Sequence, residues 1–212
     1  QNFKSEIEET HILIHSLETQ VMATGQLLDF TKVKSSPDYK KFQKYLEIDD
    51  KQLKKLFELG FVALFANFEC FMFELLKELF KKYPTSFQSE KLLKFEDIKN
   101  FGNIDEVRDY FIDSVAIEKS YDIETWETLL SQRFKIKAFK SKKDLERIRA
   151  LNALRNIILH SGSKTNSRFR KEMLQFLKTP VPIGEPFNLD MKKYFEVLHT
   201  EFSLLIRSIE NT

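Results

Sequence analysis

Cysteine, glycine and proline are all scarce in this chain, and each scarcity narrows the class of protein. A single cysteine, Cys70, excludes an intramolecular disulfide and a cysteine-based zinc site. It sits in Phe68-Glu69-Cys70-Phe71-Met72, an apolar setting that predicts a buried, inert thiol and a reducing, cytoplasmic home. Five glycines and five prolines leave little punctuation for many short strands, so long helices are expected. There is no Gly-rich phosphate loop, no Gly-x-Ser-x-Gly elbow and no carboxylate-rich metal pattern, and no cofactor is expected. No run approaches the ~20 apolar residues that span a bilayer; the longest, Phe61 to Ala66, has the length of a core segment. Charge from Lys4 onward argues against a signal peptide.

Phenylalanine and charge are plentiful. There are 21 Phe, and charged residues make up 31% of the chain, the profile of a globular helical protein. The net charge of +2 conceals an asymmetry. Between Arg133 and Lys178 stand fourteen Lys/Arg and three acidic residues (Asp144, Glu146, Glu172), a balance of +11 that leaves −9 elsewhere. Such a basic stretch is either a solvated helix face or a surface for an anionic partner, with RNA the first candidate.

Hydrophobic periodicity predicts an all-α helical bundle over residues 1–212. A first helix is expected from about Asn2 to Phe30, with Ile7, His11, Ile14, Leu17, Val21 and Leu28 near a 3.6-residue period. A break at Ser35-Ser36-Pro37-Asp38 and a short helix to about Leu46 follow. A long helix from Lys51 to Lys82, capped by Asp49-Asp50, is apolar nearly all round between Gly60 and Leu76, as a central helix would be. Residues 85–139 form a helical insertion or cap, with a turn at Phe101-Gly102-Asn103 and helices over Ile104–Val115 and Ile123–Phe134. A strong helix runs from Ser141 to His160 on the stripe Leu145, Ile148, Leu151, Leu154, Ile157 and Ile158, and Ser161-Gly162-Ser163 ends it. A short helix over Arg168–Leu177, a proline-rich loop over Thr179–Pro186 and a closing helix over Asp190–Ile209 complete the chain.

The Ser141–His160 helix carries an unexpected polar row. Asn152, Asn156 and His160 recur at i, i+4 and i+8, and Arg155 stands beside Asn156. Arg155 and His160 lie about 140° apart on an ideal helix, so both can border one groove. Arginine offers a permanently charged fork for phosphate oxygens, and histidine exchanges a proton near neutral pH. RNA cleavage needs no more: a base for the ribose 2′-OH and a cation for the crowded phosphorane. Lys164, Arg168 and Arg170 follow, placed to hold the flanking RNA backbone by charge. The alternative is that Arg155 and Asn156 simply satisfy buried polar groups.

Arg155-Asn156-Ile157-Ile158-Leu159-His160 resembles the Arg-x(4–6)-His motif of HEPN domains in its Arg-Asn-x-x-x-His form. Phe61-Val62-Ala63-Leu64-Phe65-Ala66-Asn67-Phe68-Glu69 is similar to the earlier core helix with a glutamate in several HEPN groups. The resemblance implies an all-α, metal-independent endoribonuclease of the toxin–antitoxin or antiviral defence type. It implies a homodimer with a composite active site and a possible inhibitory partner protein. By position, His160 would activate the 2′-OH, Arg155 would stabilise the phosphate, and Asn156 would orient the histidine or bind phosphate. Glu69 would anchor Arg155 or tune His160. The usual HEPN domain is shorter than this chain, and residues 85–139 are the excess. Some members are inactive, so a non-catalytic RNA- or protein-binding module is the rival expectation. A nucleotide-binding regulatory partner of a nucleotidyltransferase is a third.

Other residues invite blander readings. Glu69, among aromatic neighbours, requires a partner of some kind. His11 and His15 have metal-ligand spacing but no third ligand of obvious placement, so a solvated or core pair is expected. His199 belongs at the edge of the core, and Phe65, Phe68, Phe71 and Phe73 belong within it.

Overall fold

The computed structural model describes residues 3–28, 50–86, 95–121, 123–174, 181–187 and 190–210 of the chain. It is an all-α bundle with no strand among those residues. The helices are α1 (Phe3–Leu28), α2 (Asp50–Lys82), α3 (Phe95–Ile98), α4 (Ile104–Ser120), α5 (Ile123–Glu127), α6 (Lys142–His160), α7 (Ser167–Met173) and α8 (Met191–Glu210). The expected break at Ser35-Ser36-Pro37-Asp38, the helix to Leu46 and the side chains of Val21 and Leu28 lie outside the described residues.

The chain divides into two compact units, and the divisions fall inside α2, α6 and α8. The first joins Gln1–Phe65 to Ala150–Ser203. Its core is built from Ile7 and Ile14 of α1, Phe57, Phe61, Leu64 and Phe65 of α2, Leu151, Leu154 and Ile157 of α6, and Phe195, Leu198 and Phe202 of α8. Phe65 and Phe202 meet edge to face, 5.1 Å between centroids. Gly60 makes this packing possible. A Cβ there would stand 2.8 Å from Ile14 Cγ1 and 3.0 Å from Phe195 Cε2, so α1, α2 and α8 converge where α2 has no side chain. Leu17, expected in the apolar stripe of α1, is instead 37% exposed, as are its neighbours Ile12 and Leu13 to a greater degree.

The second unit joins Ala66–Arg149 to Leu204–Thr212. Phe68 packs on Trp126 at 5.2 Å, and the indole N–H donates to the Lys119 carbonyl. Asn103 caps α4 by accepting from the Glu106 N–H, which is why the Phe101-Gly102-Asn103 turn starts a helix. Lys77 Nζ lies 2.9 Å from Asp113 Oδ1. That pairing outweighs partial burial and holds the lysine above its ordinary pKa of 10.5. The helix expected over Ile123–Phe134 is α-helical only to Glu127. From Thr128 to Arg133 it widens into a π-turn, which buries both Leu129 and Leu130.

Three expectations about α2 need correction. Its buried residues Phe57, Phe61, Leu64, Phe65, Phe68, Met72, Leu76 and Phe80 form one face, while Leu59, Ala66 and Cys70 are exposed, so it is not enclosed all round. Cys70 is accordingly an exposed thiol, and Phe71 and Phe73 are only half-buried. Finally, Lys51–Lys82 contains an 18-residue window of mean hydropathy 1.7, long and apolar enough to cross a membrane by length and composition. Counting uninterrupted apolar runs misses it, because a summed hydropathy tolerates Asn67, Glu69 and Glu74 among the apolar residues.

Candidate active site at the carboxyl end of α6

The helix α6 begins and ends on local chemistry. The Asp144 carboxylate accepts from the Ser141 N–H at 2.8 Å, satisfying a donor at the helix entry. Leu145, Ile148, Leu151, Leu154 and Ile157 are buried, as the stripe requires, and Ile158 is half-buried. At the exit, Ser161 and Ser163 both donate backbone N–H groups to the Ile157 carbonyl. Gly162 (φ +55°) and Ser163 (φ +62°) take the left-handed conformation that turns the chain away.

The motif residues divide between the flank and the tip of this helix. Arg155 is half-buried, donates from Nη1 to Asn156 Oδ1 at 3.0 Å, and lies with its guanidinium carbon 5.6 Å from the centroid of the Phe65 ring. Stacking on an aromatic face and a hydrogen bond to a neighbouring amide both restrict the fork. Asn152, one turn earlier, is half-buried. His160, the last residue of α6, is exposed and has no hydrogen-bond or ion-pair partner among the described residues. Beside it Leu159 is 48% exposed. The structure therefore brings Arg155 and Asn156 together and leaves the imidazole open to solvent. Glu69 is half-buried on the part of α2 that belongs to the second unit.

The segment after His160 is tied down. Ser163 Oγ donates to Glu58 Oε1 at 3.2 Å, and the same carboxylate pairs with Lys55 at 2.9 Å. Glu58 is 6% exposed, a buried acid that sequence reading passed over because it lies among the charged residues that open α2. Residues 163–165 are laced to residues 184–187. Phe187 N–H donates to the Ser163 carbonyl, Thr165 N–H to that of Glu185, and Gly184 N–H to that of Thr165. The buried Thr165 hydroxyl donates to the Pro182 and Glu185 carbonyls. Asn166 then caps α7 by accepting from the Phe169 N–H at 2.8 Å. On this fixed segment Lys164 and Arg168 are exposed and Arg170 is half-buried. A cation on the flank, an open imidazole at the tip and basic residues beyond can grip a phosphodiester and move a proton at it.

A second constellation lies on α1 and α8, and it corrects the reading of His11 and His15. A third ligand type is present: Glu196 of α8 places Oε2 2.9 Å from His11 Nε2 and Oε1 2.5 Å from His15 Nε2. Burial pushes the Glu196 carboxyl up, but the hydrogen bonds and charge of the two histidines more than offset it and hold the pKa below its ordinary value. His199, at the edge of the core as expected, is pushed down by burial and then by His11. The signal was in the sequence as two Glu-x-x-His spacings, Glu8–His11 and Glu196–His199, which only the pairing of α1 with α8 joins. No protein-family model matches the chain, and no curated protein or solved structure matches it either.

Proposed function

We propose that the chain is a metal-independent endoribonuclease of the HEPN type, with Arg155 and His160 at its active site. The observation that carries this reading is the contrast between the two side chains. Arg155 is restrained by Asn156 and Phe65, as a phosphate-stabilising group should be, whereas His160 is exposed and uncommitted, as a proton-transfer group should be. In the reaction, His160 accepts the ribose 2′-OH proton while the 2′-oxygen attacks the adjacent phosphorus. Arg155 stabilises the charge that gathers on the non-bridging oxygens. The P–O5′ bond then breaks, leaving a 2′,3′-cyclic phosphate and a 5′-hydroxyl, whose oxygen takes up a proton. Lys164, Arg168 and Arg170 hold the flanking phosphates.

A second copy of the chain completes this proposal. One histidine serves as base and the partner's equivalent supplies the proton to the leaving oxygen, and the exposed Leu159 beside His160 is an apolar group for the contact. The reading is tested with a chimeric RNA carrying a single 2′-deoxy nucleotide at a mapped cleavage position. Cutting at that position should stop while neighbouring sites are still cut. Cleavage that proceeds past a missing 2′-OH contradicts the mechanism. RNA binding without cleavage by the dimeric protein favours the non-catalytic module.

A further inference from the structure

The cluster on α1 and α8 has the composition and geometry of a transition-metal site. The two Glu-x-x-His spacings face one another crosswise. His11 meets Glu196 at 2.9 Å, and His199 Nε2 stands 3.4 Å from Glu8 Oε2. The His11 and His199 rings stack at 3.9 Å between centroids, and His15 comes within 4.6 Å of His11. The pairing of 8 with 199 and 11 with 196 requires α1 and α8 to run antiparallel here. Three of the chain's four histidines and two carboxylates thus share one place. The ligand atoms of His11, His15 and Glu196 all lie within 4.8 Å of one another.

Hydrogen bonding alone does not call for this composition. A carboxylate needs one imidazole to be paired, and stacking His199 against His11 places two like-charged groups in contact whenever both are protonated. A divalent ion removes that conflict by requiring neutral imidazoles. Imidazole nitrogen and carboxylate oxygen are the donors zinc and its neighbours prefer, at about 2.0–2.2 Å. Present separations of 2.9 and 2.5 Å between nitrogen and oxygen are somewhat closer than two ligands of one tetrahedral ion, so a small turn of the Glu196 carboxylate opens the space. The side chains of His11, His15 and Glu196 are 22%, 29% and 42% exposed, and the two histidines border an open groove with Ile12, Ser16 and Thr19, which gives an ion and its water ligand an entry path.

We propose that His11, His15 and Glu196 bind one divalent transition-metal ion of the zinc class, with water completing the coordination and the Glu8–His199 pair beside it. Each histidine presents Nε2 without its proton, either by shifting the proton to Nδ1 or by releasing it to solvent. Binding is therefore weaker in acid. The ion clamps α1 to α8 and takes no ligand from Arg155 or His160, so the site stands whether or not the chain cleaves RNA.

The test uses the tag-free full chain, stripped with chelator and titrated with Zn²⁺ in a calorimeter and with Co²⁺ in a spectrophotometer. One ion per chain is expected, with intense visible Co²⁺ bands of a four- or five-coordinate site. His15→Ala and Glu196→Gln should each weaken binding at least about 10-fold, and Glu8→Gln more modestly. His160→Ala should bind as the native chain does, which separates this result from the nuclease reading. Absent binding, a weak aquo-like Co²⁺ spectrum on the native protein, or unchanged affinity in folded Glu196→Gln overturns the proposal. The native spectrum decides the matter if a variant fails to fold.

Discussion

At the scale of single residues, the account rests on how differently the members of one short motif are held. Asn156 accepts from the Arg155 guanidinium, so its loss removes one restraint on the fork without removing its charge. Asn156→Ala is expected to slow cleavage about 10-fold, and Arg155→Ala about 10²- to 10³-fold, with KM for RNA moving less than kcat. Equal losses in both variants would mean that Asn156 contacts RNA itself. Gly162 makes a separate prediction. A Cβ there meets nothing within 4 Å, but φ is +55°, so Gly162→Ala isolates the backbone cost of the turn after His160. A loss of about 1 kcal/mol in urea unfolding is expected; no loss would mean that the turn is not held in the native state. The local chemistry of this turn was legible from Ser161-Gly162-Ser163. The Glu58 anchor beneath it was not, because nothing in the spacing of residues 58 and 163 links them before the chain folds.

Helices were read best where burial is one-sided and regular. The apolar stripe of α6 is buried at every expected member except Ile158, which is half-buried, and its exit falls at the expected residue. The apolar character of α2 misled for the opposite reason: so many positions are apolar that composition does not say which face is covered. Ala66 and Cys70, within the stretch expected to be covered, are exposed. The π-turn over Thr128–Arg133 had no sequence signal, since Leu129 and Leu130 fit a buried α-helix equally well. Gly60 is where three helices can be probed at once. Gly60→Ala gains about 1 kcal/mol of helix propensity but forces Ile14 and Phe195 apart. Overpacking costs about 1–3 kcal/mol, so a net loss of stability is expected in denaturant melts; a gain would refute the close approach.

The Lys77–Asp113 pair joins α2 to α4 and titrates at the alkaline end. Its folded pKa lies above the unfolded value of 10.5, so its contribution is complete below that pH and fades as pH rises through the folded value. The stability difference between the native chain and Lys77→Met should therefore shrink as pH climbs past 10.5. A difference constant with pH would mean that the lysine contributes by packing alone.

For the molecule as a whole, charge and fold class were legible, and the meeting of distant helices was not. Fourteen basic residues between Arg133 and Lys178 set the charge asymmetry, and long apolar periods announced an all-α bundle. That Glu196 would meet His11 and His15 depends on α1 and α8 lying side by side, which no local period encodes. The measurement that tests the central claim most directly is RNA cleavage by the purified chain in excess EDTA, alongside His160→Ala and Arg155→Ala proteins shown to be folded. Because His160 is exposed, its variant should melt within about 0.5 kcal/mol of the native chain, leaving activity as the clean readout. The account predicts cleavage that persists in EDTA and is lost in both variants. Cleavage abolished by EDTA in a chain that stays folded, or undiminished in folded His160→Ala, would contradict it.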